Sequence, residues 1–272
     1  MFDGAILGFG GSMLKTMICV CLLWLALLPT DAAAQDRAAI AQDFQVWLAQ
    51  TIWPKAQASG VDRDTFETAM AGVAINWDLP DLVIPNAPQG GGDTQAEFRP
   101  PARYFAPSSV NTATNIGRSL LSSHARTLAQ VERNTGVPAR ILLSIWGRES
   151  SYGRAKIPHD AFEILATKGF LSTRADYFTD ELIAAFLILD KGFATRRQMR
   201  SSWAGALGQP QFMPSNYLTY ATDGDGDERA DIWGSDADWG FKSPCPALLA
   251  APLKAPTTPA RSARGQTWAS TV

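Results

Sequence analysis

The chain has 272 residues, with 24 basic and 26 acidic side chains and a formal net charge of -2. Hydrophobic residues make up 46% of it, a composition typical of a globular protein with a large core. No basic tract is present, so nothing in the charge pattern favours nucleic acid or an anionic membrane surface as a partner.

The N-terminus has the features of a secretory signal peptide. Lys15 precedes an apolar run over residues 17–28, and Ala32, Ala33 and Ala34 supply small residues at which the signal is cleaved. A membrane anchor is the alternative, but the run has about 12 residues and a span needs roughly 20. We therefore expect residues 1–34 to be removed, leaving a periplasmic chain without a membrane span. Cys245 would then be its only cysteine, so no internal disulfide can stabilise it.

Apolar side chains recur at helical spacing along most of the chain, and alternation of the strand type is nearly absent apart from one short hairpin. The pattern predicts a mainly α fold. Asp62, Asp160 and Thr179 are the predicted N-caps, and Gly136 and Gly192 the predicted stops. The predicted helices cover residues 38–52, 62–73, 113–135, 138–149, 160–169, 179–191 and 214–218.

Two segments lack this periodicity and divide the chain. Residues 79–107 are rich in proline and contain three consecutive glycines, which predicts a long loop, a lid or a domain junction. Residues 241–272 contain few large apolar side chains, too few to offset the entropy lost on ordering. We therefore expect a signal peptide at 1–34, an N-terminal helical region and linker at 35–100, a catalytic domain at 101–240 and a disordered tail at 241–272.

Glu149 is the candidate catalytic carboxylate. Ile145 and Trp146 lie one turn before it on the same helical face, and the helix is predicted to end just beyond it. Desolvation and the helix dipole both raise the pKa of such a carboxyl, while Arg148 and Arg154 oppose this if they reach it. A protonated carboxyl can donate to a leaving oxygen, as cleavage of a glycosidic bond requires. On spacing alone, a surface glutamate at a helix end is the alternative.

The second candidate element is S-S-W-A-G-A-L-G-Q-P-Q-F-M-P-S, residues 201–215. Its glycines allow a flat ligand or another backbone to approach closely. Gln209 and Gln211 offer donors and acceptors suited to sugar hydroxyl and acetamido groups. Apolar surface for sugar rings is supplied by Trp203, Phe212 and Met213. A tight helix–helix contact would explain the same glycines.

The third element is the acidic stretch D-G-D-G-D that begins at Asp223. Carboxylates at alternate positions of a glycine-rich loop are typical ligands of Ca²⁺. The loop departs from the EF-hand pattern, because Glu228 and Gly234 stand where glycine and glutamate are required. A solvated acidic turn is the alternative. The candidate metal ligands are Asp223, Asp225, Asp227, the Arg229 carbonyl and Asp238. With only two histidines in the chain, a zinc site or a histidine-based triad has little to build from.

Three motifs in order resemble the membrane-bound lytic murein transglycosylase B family: I-W-G-R-E-S-S-Y-G-R (145–154), A-G-A-L-G-Q-P-Q-F-M-P-S-N-Y (204–217) and D-G-D-G-D followed by D-I-W-G-S (223–235). The resemblance extends over about residues 41–238. It implies a lysozyme-like helical catalytic domain that binds peptidoglycan glycan strands.

By this resemblance the enzyme cleaves the β-1,4 bond between N-acetylmuramic acid and N-acetylglucosamine and forms a 1,6-anhydromuramic product. Glu149 would act first as acid and then as base. Ser202 would hydrogen-bond Glu149, and Gln211 would contact substrate. Phe212 and Met213 would form the cleft wall, and Tyr152 would brace the turn beyond Glu149 and border the substrate. No cofactor is implied for catalysis, and the acidic loop would hold a structural Ca²⁺.

The sequence departs from the family after the Trp-Gly-Ser segment, where W-G-F-K-S-P-C-P replaces the expected helix. We expect a frameshift or truncation at this point, which leaves two alternatives to the active enzyme open. One is a non-catalytic peptidoglycan-binding relic. The other, with the same bond cleaved, is a lysozyme-type hydrolase that admits water.

Overall fold

The computed structural model describes residues 32–85, 105–223 and 229–234. The predicted C-terminal tail and nearly all of the predicted signal peptide lie outside these ranges. The described chain is mainly α-helical, which confirms the predicted fold class. Its elements are α1 (Ala32–Trp47), a π-helical turn (Leu48–Ile52), α2 (Trp53–Ala58), α3 (Arg63–Met70), α4 (Pro107–Ser123), α5 (Ala125–Thr135), α6 (Ala139–Ser150), β1 (His159–Asp160), α7 (Ala161–Leu171), α8 (Ala175–Asp190), β2 (Arg200–Ser201) and α9 (Pro214–Tyr220).

The chain divides into two compact units, Met1–Leu48 and Ala49–Val272. In the described part of the first unit, α1 places Phe44 and Trp47 on one face, where their rings stack with centroids 5.9 Å apart. All other helices belong to the second unit. None of the helices in the described ranges is long and apolar enough to cross a membrane.

The core of the second unit is built on the α7–α8 pair. Almost every residue of α7 is buried, as expected for a helix surrounded by other elements. Phe186 of α8 lies between Phe162 of α7 and Phe66 of α3, with ring centroids 5.3 and 5.2 Å away. The predicted cap of α7 is confirmed, because Asp160 accepts hydrogen bonds from the amides of Phe162 and Glu163 at 3.0 and 3.2 Å.

A non-helical segment, residues 76–83, runs along α7 and is called the strap here. At its start the Asn76 side chain donates to Glu163 at 2.6 Å. At its end the Val83 amide donates to the Leu171 carbonyl at 2.6 Å. The start of the strap therefore contacts the first turn of α7 and its end contacts the last turn. These hydrogen bonds hold in place a segment for which the sequence predicted neither helix nor strand.

Several helix boundaries differ from prediction, two of them for a physical reason that the structure shows. The helix predicted over residues 113–135 is two helices, broken at His124. The hydroxyls of Ser122 and Ser123 donate back to carbonyls of the preceding turn, a bond that competes with helix propagation. The prediction that Thr179 is an N-cap is wrong, because α8 begins earlier and buries Thr179.

The prediction of a hairpin is also wrong, because the two paired strands are not consecutive in the chain. Strands β1 and β2 pair antiparallel, with His159 opposite Ser201, but α7 and α8 lie between them in the sequence. Gly136 and Gly192 are confirmed as left-handed residues past helix ends, and Pro214 is confirmed as the first residue of α9.

We predict that Glu181→Ala lowers the free energy of unfolding by about 2–3 kcal/mol. Glu181 is buried in α8, and its carboxylate accepts from the Ser215 amide at 2.9 Å and the Ser215 hydroxyl at 2.7 Å. Ser215 is the second residue of α9, so the substitution leaves an uncapped helix start. Urea denaturation measures the effect. Asp180→Ala, at the exposed neighbouring position, is the control and changes stability by less than about 0.5 kcal/mol. Equal stability of the two variants would contradict the prediction.

Candidate active site

Glu149 lies in the last turn of α6. Leu142, Leu143 and Trp146 of this helix are buried against α5, whereas Glu149, at the end of the helix, is exposed. The surrounding protein still removes part of the hydration of its carboxyl, and this desolvation raises its pKa, while the positive charge of Arg148 lowers it. A raised pKa keeps more of the carboxyl protonated towards neutral pH, which suits a general acid.

The turn after Glu149 is held in an unusual conformation. Ser151, Tyr152 and Gly153 all have left-handed backbones, with φ of 51°, 60° and 75°. Two such non-glycine residues in succession are costly and persist only where neighbouring contacts fix them. Here the Gly153 amide donates to the Ser150 hydroxyl at 3.0 Å, and the Ala155 amide donates to the Ser150 carbonyl at 2.8 Å.

Tyr152 braces this turn against α4. Its hydroxyl donates to the Ala113 carbonyl at 2.8 Å, and its ring packs edge-on against Trp146 with centroids 5.6 Å apart. A Cβ on Gly147 would lie 2.6 Å from the ring, and one on Gly117 2.8 Å from the hydroxyl oxygen. Glycine is therefore required at both positions for the ring to fit. The predicted bracing contact is present, and the hydroxyl is already engaged by the protein.

The glycine-rich segment continues the small antiparallel sheet. Ser201 bridges Leu207, which in turn exchanges two backbone hydrogen bonds with Phe212 at 2.7 and 3.0 Å. Gly208 turns the chain with φ of 62°, and a Cβ there would lie 2.6 Å from Ile232. Gln211 is also left-handed, and its side chain donates to the Gly208 carbonyl at 2.9 Å.

Gln209 links the catalytic helix to the glycine-rich segment. Its Oε1 accepts from the Trp146 indole at 2.8 Å, and a Cβ on Gly153 would lie 2.5 Å from the same oxygen. Because Gln209 is only 6% exposed, its side chain serves this link, contrary to the interpretation that it reads sugar groups. The structure thus joins two of the three motifs through one buried amide.

The remaining predicted substrate residues line the glycine-rich turn. The Ser202 hydroxyl accepts from the amides of Ala204 and Ala206 at 3.3 and 3.2 Å. No hydrogen bond joins it to Glu149 in the described ranges, so the Ser202–Glu149 contact stays a prediction. Phe212 and Met213 are half-buried, and the Met213 methyl lies 3.7 Å from where a Cβ of Gly205 would be.

The predicted metal loop is described only at its ends. Asp223 and Arg229 border one cavity of about 410 Å³ together with Tyr217, so both ends of the loop lie at this cavity. Asp225, Asp227 and Asp238 lie outside the described residues. Among the described side chains, no three of the histidine, cysteine or acidic type are grouped as metal ligands.

Sequence reasoning missed a second cavity, of about 360 Å³, beside the glycine-rich segment. It is bordered by the strap, by Arg174, by Trp203 and by the buried Lys168. The signal that could have revealed it is a lysine in a helix whose neighbouring positions are apolar.

Comparisons with known proteins show the family of this chain. The sequence profile described as "Transglycosylase SLT domain" matches residues 43–241. The membrane-bound lytic murein transglycosylase B of Escherichia coli K12 is 37% identical over 99 residues, which are 36% of this chain and 27% of that protein.

Solved structures are similar over most of the chain. Pseudomonas aeruginosa SltB3, in complex with NAG-NAM-pentapeptide, matches with a TM-score of 0.64 and 32% identity, over 76% of this chain and 53% of its own. Escherichia coli Slt35, in complex with bulgecin A, matches with a TM-score of 0.57 and 26% identity, over 78% and 62%. Both share its lysozyme-like fold. The chain spans about a quarter of the curated relative and about half of SltB3. With the profile covering residues 43–241, this chain belongs to the Transglycosylase SLT domain family.

Proposed function

We propose that the chain is an exported lytic transglycosylase that acts on peptidoglycan glycan strands in the periplasm. The observation that carries the proposal is Glu149, a desolvated carboxyl with a raised pKa at the end of α6, next to a rigid turn that Gln209 joins to the glycine-rich segment. Family membership and the NAG-NAM-pentapeptide in the SltB3 structure support this substrate class. Residues 1–34 would direct export. No membrane span and no nucleic-acid partner are part of the proposal.

The proposed reaction uses Glu149 twice. Its carboxyl donates a proton to the oxygen of the β-1,4 bond as the bond from muramyl C1 to that oxygen breaks. The resulting carboxylate then accepts the proton of the muramyl 6-hydroxyl as this oxygen bonds to C1. The 1,6-anhydro ring closes without water, and Glu149 regains its proton. Retaining and inverting glycosidases instead use two carboxylates.

The residues around Glu149 would hold the glycan in place. Ser202 keeps a hydroxyl proton with no acceptor in the described part of the chain, and we infer that it donates to the Glu149 carboxylate when this forms. Gln211 would contact substrate through its amide oxygen, since its amide nitrogen donates to Gly208. Phe212 and Met213 would supply apolar wall, and Tyr152 would border the cleft from its braced position.

We predict that Glu149→Gln abolishes anhydromuropeptide release from purified sacculi, by at least about a hundredfold, because the amide cannot transfer a proton. Mass spectrometry measures the products, and an anhydro product is one water lighter than a hydrolytic one. Glu67→Gln on the exposed face of α3 is the matched control and retains parental yield. Parental yield from Glu149→Gln would refute the role of this carboxyl. Reducing ends in place of anhydro ends would show a hydrolase, and sacculus binding without product from the parent would show a binding protein.

We predict that Arg148→Gln moves the alkaline limb of the pH–activity profile to higher pH. Arg148 is the cation that lowers the pKa of Glu149, so its removal raises this pKa further. The acid form is the active one in the first step, and it is lost as pH rises through the pKa. Initial rates on sacculi between pH 4 and 9 measure the limb. A limb that stays in place or moves to lower pH would contradict the assignment of Glu149 as general acid.

The acidic loop is proposed to hold a structural Ca²⁺. The carboxylates of Asp223, Asp225, Asp227 and Asp238 and the carbonyl of Arg229 are the hard oxygen donors that Ca²⁺ prefers. The described segment after the loop is anchored for such a role. The Ala230 carbonyl accepts from the Tyr217 hydroxyl at 3.0 Å, and the Ile232 carbonyl accepts from the Gln209 amide at 2.9 Å.

We predict that Ca²⁺ at about a hundred times its Kd raises the Tm by several degrees, because binding to the folded state alone stabilises it by about 2.7 kcal/mol. Differential scanning calorimetry with Ca²⁺, with Mg²⁺ and with chelator measures the shift. Asp223→Ala removes the shift, whereas the control Asp176→Ala, at an exposed position of α8, keeps it. An equal Ca²⁺ shift in Asp223→Ala would place the ion elsewhere.

A further inference from the structure

Lys168 is a buried cation that the proposed reaction does not use. Its side chain is 2% exposed, and it is the one charged residue among the buried positions of α7. The ammonium lies 4.7 Å from the centroid of the Trp203 ring and 5.2 Å from that of Phe178. The ammonium is thus in contact with one aromatic ring of α8 and one of the glycine-rich segment.

The same ammonium contacts the strap. It donates to the Pro80 carbonyl at 3.5 Å and lies 4.0 Å from the carboxylate of Asp81. Asp81 has a left-handed backbone with φ of 66°, a conformation that costs energy outside glycine. Lys168 therefore connects the strap, α8 and the glycine-rich segment at one point.

Stability alone does not account for a charge at this position. Burying an ammonium is costly, and its polar partners here are distant, a carbonyl at 3.5 Å and a carboxylate at 4.0 Å. Desolvation lowers the pKa of Lys168, while Asp81 acts in the opposite direction. The charged form of the group is thus disfavoured by burial, and its contact with Trp203 lies in the glycine-rich segment, next to Ser202 in the chain.

Trp203 borders the cavity of about 360 Å³ beside the glycine-rich segment. It directly follows Ser202, and it is half-buried, so part of the indole faces the cavity while Lys168 contacts the ring. A half-exposed indole can stack on a sugar ring, and a cation on an aromatic ring attracts it strongly once desolvated. The contact between Lys168 and Trp203 is thus placed where it could set the orientation of the indole at the cavity.

We propose that Lys168 is a positioning residue, which fixes the Trp203 indole as a stacking surface for a sugar ring of the glycan strand. This inference rests on the proposed function. It assigns no chemical step to Lys168. Removing the charge should weaken glycan binding and leave the proton transfers of Glu149 unchanged.

The test measures binding of chitotetraose and of purified sacculi by the Glu149→Gln protein, which binds without turnover. In this background, Lys168→Met removes the charge and Lys168→Arg retains it, while Trp203→Leu removes the indole. Calorimetric titration gives the affinity, and the Trp203 indole signal in an NMR spectrum of ¹⁵N-labelled protein reports its orientation. The same Lys168 substitutions in the active parent give KM and kcat on sacculi.

We expect Lys168→Met to weaken binding and to raise KM about five- to thirtyfold, with kcat changed less than about twofold. Lys168→Arg should stay within about threefold of the parent and restore the Trp203 signal that Lys168→Met displaces. The double variant should bind no more weakly than Trp203→Leu alone, because both changes remove one contact.

Three results would overturn the positioning role while leaving the proposed function intact. They are parental affinity in Lys168→Met, additive losses of affinity in the double variant, and failure of Lys168→Arg to restore binding. If Lys168→Met does not fold, Lys168→Gln takes its place in the test. An unmoved Trp203 signal together with parental affinity in Lys168→Gln would also overturn the positioning role. If the parent protein binds neither glycan, the proposed function itself fails, and this inference fails with it.

Discussion

The site depends on how α6 ends. Three successive left-handed residues reverse the chain immediately after Glu149 and Ser150, and such a turn is stable only if its surroundings leave it no alternative. Gln209 supplies that restriction from one side, since it accepts from the Trp146 indole and fills the space that only a glycine at 153 leaves. Tyr152 supplies it from the other side through α4. These contacts therefore fix the turn that directly follows Glu149 and Ser150.

The sequence predicted correctly several features that depend on one residue and its neighbours in the chain. The cap at Asp160, the left-handed Gly136 and the helix start at Pro214 each follow from one residue and its immediate neighbours, and each is confirmed. Glu149 was placed correctly near a helix end because its apolar neighbours recur at helical spacing. Thr179 was misassigned because a good capping residue can equally lie inside a helix that tertiary packing extends. The Gln209 link and the strap join residues far apart in sequence, and no periodicity encodes them.

Carboxylates that stabilise the fold of this protein differ from Glu149 in their hydrogen bonds. Glu181 accepts two hydrogen bonds from Ser215, and Asp160 both caps α7 and pairs with Arg196 at 2.5 Å. Glu149 differs, because its carboxyl is desolvated and has no hydrogen-bond partner in the described part of the chain. A carboxyl that is neither fully solvated nor committed to a donor can gain and lose a proton at small cost, which is the property an acid–base residue needs.

The acidic residues of the two motifs that carry the proposed site also bear on the proposed reaction. Residues 139–155 and 200–215 contain a single acidic side chain between them, Glu149. Hydrolysis by the usual glycosidase routes requires a second carboxylate within about 5–10 Å, as nucleophile or as the base that activates water. An internal hydroxyl that is already held beside the reacting carbon requires neither, because its effective concentration replaces that activation. In the proposed reaction a single carboxyl completes the cycle because the same group recovers the proton that it donated. Rigid placement of the glycan and of the α6 turn would then replace the second acid. The contacts of Gln209 and Tyr152 fix the turn, and the proposed role of Lys168 acts on the glycan.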